Sequence, residues 1–341
     1  MKKILIVTLY NGLNCGAFLQ AYSLMSFLEN QGYKVDFYNG GARHPASTTF
    51  WDMLQSIKHI NIKRAIYLFN QYRLLKKAQS AFNIVNTYKK NDYDCVIFGS
   101  DEIWNLKRAE IRNYPYLWGK DLDHNNRISY APSTGFSKVS DLSTVNGFSD
   151  ELRNFKAISV RDYNSQHIIE EVLGKKPNIV LDPTFLIEHR SYSYKGEKYV
   201  LLYGYSLYYN KEYKQEIIKF ARENNLNIYS MGAYCSWSNL AAHNSPDNFL
   251  KYFNHAEYVI TDTFHGTVFS IINQKQFIVL SAQGSNKILG LLKMINLENR
   301  YCEGKISLYK ELVEKKIEWK KIEKDLLEIK KQSVEYLLSN I

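Results

Sequence analysis

The run from Lys3 to Leu9 is almost wholly apolar and leads straight into a glycine-bearing turn, Asn11-Gly-Leu-Asn-Cys-Gly16. An apolar run with no polar alternation suits a strand buried on both faces, as in a parallel sheet covered by helices. After the turn, Leu19, Tyr22, Leu24, Phe27 and Leu28 recur at helical spacing, and Gln31-Gly32 is a helix stop. Tyr33 to Tyr38 then reads as a second strand. Strand, turn, helix, strand is the opening of a doubly wound α/β domain.

The same grammar returns along the chain. Tyr93 to Phe98, Arg127 to Ala131, Ala157 to Val160 and Ile179 to Leu181 are strand candidates with helical stretches between several of them. A second α/β set starts near Lys198, with strands at Tyr199–Tyr203, Asn227–Met231, Tyr258–Thr261 and Gln276–Leu280. These patterns predict one Rossmann-like domain over residues 1–185 and another over 195–305, facing a cleft, with Leu181-Asp-Pro-Thr-Phe185 as the hinge. Residues 306–341 are rich in Lys and Glu and predict helices that pack across the domains or back on the first. At 341 residues the chain is long enough for two cores.

Residues 50–91 stand apart, with many Lys, Arg, Ile, Leu and Tyr and almost no Gly or Pro. They read as one or two basic amphipathic helices, either lying on an anionic membrane or showing a solvated face. Lys plus Arg exceeds Asp plus Glu by ten (44 − 34), and the sequence pI is about 9.1. That balance favours anionic partners: phosphorylated substrates, an acidic membrane surface or nucleic acid. No Arg-rich arm, zinc pattern or aromatic RNA-binding signature accompanies it, so nucleic acid is set aside. The cysteines (Cys15, Cys95, Cys235, Cys302) are widely spaced, as in a reducing cytoplasm. No stretch approaches the roughly 20 apolar residues of a membrane-spanning helix, so a soluble, cytoplasmic chain is expected, peripheral at the inner membrane face at most. The 27 tyrosines suit sugar-lining surfaces and cores alike.

Four segments can carry chemistry. In Val259-Ile-Thr-Asp-Thr-Phe-His-Gly-Thr267 a strand ends at Asp262 and Thr263, and a helix begins near Gly266. His265 would stand beside free amides at the positive end of that helix, an anion site, with Gly266 and Thr267 in reach. In Ala157-Ile-Ser-Val-Arg-Asp162, Arg161 directly follows a strand and can grip a carboxylate or phosphate, or pair with Asp162 or Asp182. In Val96-Ile-Phe-Gly-Ser-Asp-Glu-Ile-Trp104, Asp101 and Glu102 offer carboxylates at a strand end, beside Ser100. Trp104 can stack on a sugar or fill the domain wall. The first turn, with Asn14 and Gly16, sits where a phosphate loop would, but it matches neither GxGxxG nor GxxxxGK[ST]. Cys15 there lies near a helix start, which can depress a thiol's pKa, although one unpartnered Cys is more often inert. Lys287, opening a later helix, faces an anion or plain solvent.

Taken in order, NGLNCGAFLQAYSL, DCVIFGSDEIWN, ISYAPSTG, ISVRD, VLDPTFL, YVITDTFHGTVFSIINQKQFI and SNKILGLLKMINLENR resemble the polysaccharide pyruvyltransferase family. The stretches run from residue 11 to about 300. The resemblance implies a two-domain α/β fold like the GT-B glycosyltransferases, phosphoenolpyruvate as donor, no metal or other cofactor, and a sugar acceptor that can be lipid-pyrophosphate-linked. It implies that His265 and Arg161 bind the donor; from their positions in the sequence, Thr263, Gly266, Thr267 and Lys287 are expected around it. Catalysis would fall to His265 with Asp101 or Asp262, and acceptor contacts to Asn14, Gly16, Ser100 and Trp104. Where members often carry Arg-Leu-His, this chain has Thr263-Phe264-His265, so either another cation such as Lys287 takes the place of the Arg or donor binding differs. Acceptor choice is expected in loops 40–50 and 232–246. Rival readings are a GT-B glycosyltransferase using a nucleotide sugar and a non-catalytic glycan-binding module.

Overall fold

The computed structural model describes residues 2–40, 62–205, 207–280, 286–304 and 307–341. The expectations that fall on residues 41–61, including most of loop 40–50 and the start of the basic segment, lie outside the described residues.

The chain is α/β, with two parallel sheets. The first half runs β1 (Lys3–Val7), α1 (Cys15–Asn30), β2 (Lys34–Tyr38), α2 (Ile62–Gln79), β3 (Ile84–Val85), β4 (Cys95–Phe98), α3 (Ala109–Asn113), β5 (Arg127–Ser129), α4 (Phe148–Arg153), β6 (Ser159–Val160), α5 (Tyr163–Leu173) and β7 (Asn178–Ile179). The second runs β8 (Tyr199–Gly204), α6 (Lys211–Glu223), β9 (Asn227–Gly232), β10 (Leu240–Ala241), α7 (Pro246–His255), β11 (Tyr258–Thr261), α8 (Phe264–Ile272), β12 (Gln276–Leu280), α9 (Asn286–Met294), β13 (Tyr301–Cys302) and the closing α10 (Trp319–Asn340).

The strand order is β3-β2-β1-β4-β5 in one sheet and β10-β9-β8-β11-β12-β13 in the other. Each is the Rossmann-like order, with the chain reversing direction across the sheet between the first strand and the fourth. In the first half β1 pairs with β4 from Ile4↔Cys95 to Val7↔Phe98, and in the second β8 pairs with β11 from Val200↔Tyr258 to Tyr203↔Thr261. Ligands in such sheets lie off the carboxyl ends of the strands at that switch point. The pair β6–β7 continues the first sheet beyond β5, through the Ile128↔Ala157 bridge.

The apolar runs are buried as their pattern requires. Ile4 to Val7 and Cys95 to Phe98 are fully enclosed, as are Tyr199 to Leu202. Five helices begin just beyond strands or loops on side-chain caps that satisfy an orphan amide: Asn14 for α1, Asp162 for α5, Asn210 for α6, Ser245 for α7 and Thr263 for α8. The largest apolar cluster runs from β1 and α1 through Val180–Leu186 to β8, α7 and α8, so the two halves share a core. The closing helix α10 also ties them together. Trp319 stacks on Phe277, while Ser333 accepts from the Leu181 amide (3.0 Å) and Tyr336 donates to the Ser129 carbonyl (3.1 Å). Helix α2 turns Tyr67, Gln71, Leu75 and Gln79 inward. Gln71 and Gln79 donate to the carbonyls of Leu13, Tyr10 and Gly12, and Lys76 donates to Asn11 at 2.6 Å, so the basic segment clamps the first turn.

Candidate functional site

The two switch points meet. Beyond β4 come Ser100 and Asp101, beyond β6 Arg161, beyond β7 Asp182, and beyond β11 Thr263 and His265 on the first turn of α8. Helix α1 brings its own first turn against His265: a Cβ on Gly16 would overlap the imidazole. Glycine at this position therefore lets two helix starts, one from each half, approach face to face. Helix starts carry unsatisfied amides and partial positive charge, so the space between them attracts anions.

Asp182 is the hub. It is fully buried and takes a hydrogen bond from Arg161 Nη1 (2.8 Å), one from Ser100 Oγ (3.3 Å), and two more from the amide and hydroxyl of Thr184. His265 Nε2 stands 3.8 Å from Asp182 Oδ2, beyond hydrogen-bond length but within strong electrostatic reach. Burial raises the carboxyl's pKa, but the nearby His265 and Arg161 more than reverse this and hold it well below the usual carboxylate range. Burial likewise lowers the Arg161 guanidinium, and Asp182 and Asp101 outweigh it. Arg161 Nη2 lies 3.5 Å from Asp101 Oδ1, and its guanidinium carbon sits 4.2 Å from the centre of the Phe264 ring.

Some polar groups here are left open. Among the described residues, Arg161 Nε and Nη2 and His265 Nε2 are buried without a hydrogen-bond partner. Buried donors are normally satisfied, and leaving one unmade costs about 1–3 kcal/mol, more for a charged group. Three such atoms in one place leave capacity for acceptor oxygens.

Lys287, from α9, also reaches this region, 5.9 Å from the Phe264 ring centre. Phe264 thus gathers one cation from each half. The Lys287 ammonium is held by Glu102, which Asn105 also supports at 2.9 Å. Burial raises the Glu102 carboxyl, and Lys287, Asn105 and Arg161 together bring it down to about 2. Lys287 is therefore near the site, with its charge met by a carboxylate of the opposite half.

Other expected residues take different roles. Trp104 is fully buried, edge-on to Phe148 and Phe155, so its ring fills the wall and exposes no face to a sugar. Ser100 is equally enclosed, its hydroxyl donating to Ala131 O and Asp182, and so supports the hub instead of meeting an acceptor. The Asp262 carboxylate receives the amides of Tyr205 and Leu207, which makes it an anchor of that loop. Thr263 caps α8 by accepting from the Gly266 amide (2.9 Å), and Thr267 turns its hydroxyl back to Thr263 O (3.0 Å). Gly266 and Thr267 thus build the helix start and do not offer those groups to a ligand; a Cβ on Gly266 would strike the Thr261 and Thr263 hydroxyls. Asn14 caps α1 through the Gly16 amide (2.9 Å). Burial, then Asp247, raises the Cys15 thiol well above its ordinary value, so the helix start does not activate it. The sequence offers Asp182 as one of two pairing partners for Arg161 but does not mark it as a site residue. A carboxylate directly after a strand at a Pro turn was the available signal.

No group of three or more His, Cys, Asp or Glu is placed to hold a metal among the described residues, and no helix there is long and apolar enough to cross a membrane. Among curated proteins none matches this chain. Similar solved structures include UGT89C1 of Arabidopsis thaliana complexed with quercetin (10% identity, 98% of this chain and 94% of that one, TM-score 0.49). The E. coli heptosyltransferase WaaC with ADP (14% identity, 96% and 99%, TM-score 0.42) and Acinetobacter baumannii MurG (12% identity, 100% of both, TM-score 0.45) are further examples. At these scores the likeness is loose. The family model for polysaccharide pyruvyl transferase matches residues 14–284, which run from the end of the first turn through Asp101, Arg161, Asp182 and His265, and this chain belongs to that family.

Proposed function

We propose that the protein transfers the enolpyruvyl carbons of phosphoenolpyruvate to two hydroxyls of one sugar in a polysaccharide precursor, forming a pyruvate ketal. The observation that carries the reading is the set of buried, unpartnered donors on Arg161 and His265 between two opposed helix starts. A doubly anionic donor, with a carboxylate and a phosphate, has the complementary chemistry.

Arg161 and the amide ends of α1 and α8 hold the donor's carboxylate and phosphate. Protonation of the enol methylene makes a methyl group and leaves cationic character at C2. A sugar hydroxyl attacks C2, the C–O bond to phosphate breaks, and the second hydroxyl closes the ketal. Of the two hydroxyl protons released, one balances the methyl group and the other leaves with phosphate. Asp101, at the site's edge and 3.5 Å from Arg161, is the remaining carboxylate placed to receive a hydroxyl proton. His265 steadies the departing phosphate or carries the proton to the methylene. The acceptor is a cytoplasmic glycan precursor, and a pyrophosphate-linked lipid carrier suits the chain's excess of ten positive charges.

The test is phosphate release from phosphoenolpyruvate with a panel of hexoses and hexosamine derivatives, with the ketal product followed by mass spectrometry. Sugar-dependent release that disappears in His265→Ala supports the proposal. Consumption of a nucleotide sugar in place of phosphoenolpyruvate would replace it with glycosyl transfer, and tight glycan binding without release would replace it with a binding module.

A further inference from the structure

Trp104 shows no face to a sugar, but Tyr205 does. It directly follows β8, at the switch point of the second sheet, and is 43% exposed. Its position is fixed from below. The Asp262 carboxylate accepts the Tyr205 amide at 3.1 Å and the Leu207 amide at 2.9 Å. A Cβ on Gly204 would overlap that carboxylate, so glycine is what admits it beneath the loop. Burial pushes the Tyr205 phenol up to about 12, with Tyr203 opposing the rise and Cys15, Asp262 and Asp101 adding to it. An exposed residue with a raised phenol turns its ring outward and its hydroxyl inward. That hydroxyl is within electrostatic reach of Asp101, which stands 3.5 Å from Arg161.

Close by lies an unused amide. Asn244, between β10 and α7, is fully buried, and neither its Nδ2 nor its Oδ1 makes a hydrogen bond of normal geometry. Burial raises the Tyr203 phenol well above its ordinary value, Tyr205 and Cys15 raise it further, and Asn244 lowers it. Tyr203 therefore links the other two, its ring centre 6.4 Å from that of Tyr205. The backbone on both sides of Asn244 is pinned. The Ala242 amide donates to Ser230 O (2.8 Å), the Ser245 amide to His243 O (2.9 Å), and Tyr67 to Ala242 O (3.0 Å). The Asn244 amide is thus held in place without being used, and His243 Nδ1 beside it also lacks a partner. Buried polar groups are normally satisfied, and an amide group offers both donors and an acceptor, as sugar hydroxyls require.

From this we infer that Tyr205 and Asn244 form the acceptor subsite, where a neutral hexopyranose lies on the Tyr205 ring and bonds Asn244 through its hydroxyls. Aromatic faces with a few fixed polar groups are the usual makings of such a site. Asp262 and Asp101 both act on Tyr205, and two carboxylates favour a neutral sugar over a uronic acid. The inference rests on the proposed transfer for the role of acceptor: a sugar seated here lies near Asp101, the carboxylate assigned to receive its proton.

The experiment reads sugar binding and transfer separately on the full chain. Titrations followed by saturation-transfer NMR use the methyl glycosides of glucose, galactose, mannose and N-acetylglucosamine, with and without phosphoenolpyruvate. Phosphate release reads transfer. The variants are Tyr205→Ala, Tyr205→Phe and Asn244→Ala. Tyr205 is exposed and Asn244→Ala takes away no well-formed hydrogen bond, so all three should keep the wild-type melting temperature. At least one glycoside is expected to bind the wild type. Tyr205→Ala and Asn244→Ala should each weaken that binding about tenfold. KM for the sugar should rise with it, while the melting shift caused by phosphoenolpyruvate stays the same. Tyr205→Phe keeps the ring and should bind nearly as the wild type does. Sugar binding that depends on these residues, without phosphate release, would leave the subsite standing and remove the transfer reading. Undiminished binding in folded Tyr205→Ala and Asn244→Ala would overturn the inference, as would a wild type that binds none of the glycosides under either condition. Lost stability in Asn244→Ala with sugar binding intact would give the amide to a buried water and overturn its role here.

Discussion

The two halves have the same strand order around their switch points and contribute opposite things to the site. The first half supplies buried charge: Arg161 and Asp182 are locked together, with Asp101 at the edge. The second half supplies one imidazole on a helix start and a lysine at the rim, both near the junction. In the first half, the residues proposed to bind the donor are also residues that hold the fold. In the second, changing His265 removes one electrostatic neighbour of Asp182 but leaves that carboxylate bonded to Arg161, Ser100 and Thr184. Function and stability should therefore separate between the halves, and substitutions can test that separation.

The largest effect is expected in activity, from His265→Ala. Turnover should fall roughly 10²–10⁴-fold with the melting temperature nearly unchanged; a variant that unfolds would erase the contrast between halves. Asp182→Asn should do the opposite. It strips Arg161 of its buried counter-charge and should destabilise the protein by about 3–5 kcal/mol, read by chemical denaturation. Gly16→Ala joins the two halves' properties: its methyl group meets the His265 ring, and overpacking of this kind costs about 1–3 kcal/mol. Activity should fall with it, and an active, stable Gly16→Ala protein would mean the helix starts do not meet as described.

Glu102→Gln is the mildest and the most discriminating. Loss of the charge on the Lys287 partner should cost about 1–2 kcal/mol at neutral pH, while the freed ammonium tightens phosphoenolpyruvate binding. The pH dependence has a defined sign. A Glu held at about 2 in the folded protein contributes stability that is fully present above the unfolded value of about 4.3 and is lost as pH falls through about 2. The wild-type advantage over Glu102→Gln should therefore be constant from neutral pH to about 5 and vanish in strong acid. An advantage that vanished near pH 6 instead would assign it to another group.

Much of this organisation was legible in the residues. Parallel strands buried on both faces leave unbroken apolar runs, and the helix caps Asn14, Asp162, Ser245 and Thr263 stand where their hydrogen bonds require. Arg161 could be picked out because it directly follows a strand, and His265 because it lies where a strand turns into a helix, both at the sheet's carboxyl edge. What stayed hidden depends on contacts between distant segments. The sequence leaves Arg161 a choice between Asp162 and Asp182, and only the fold settles it on Asp182, which also reaches Ser100 across 82 residues. Asp262 looked catalytic beside His265 until its carboxylate met the backbone of residues 205 and 207. Trp104 has the chemistry of a sugar platform, and only the packing of Phe148 and Phe155 around it decides for the wall.

The central claim is that the junction of the two halves binds phosphoenolpyruvate through His265 and Arg161. The direct measurement is the shift in melting temperature caused by phosphoenolpyruvate in the wild type and in His265→Ala, with inorganic phosphate, UDP-sugars and GDP-sugars as controls. The account predicts a shift that is larger for phosphoenolpyruvate than for any control and is lost in the variant. A shift with a nucleotide sugar alone, or one with phosphoenolpyruvate that survives in His265→Ala, would contradict it.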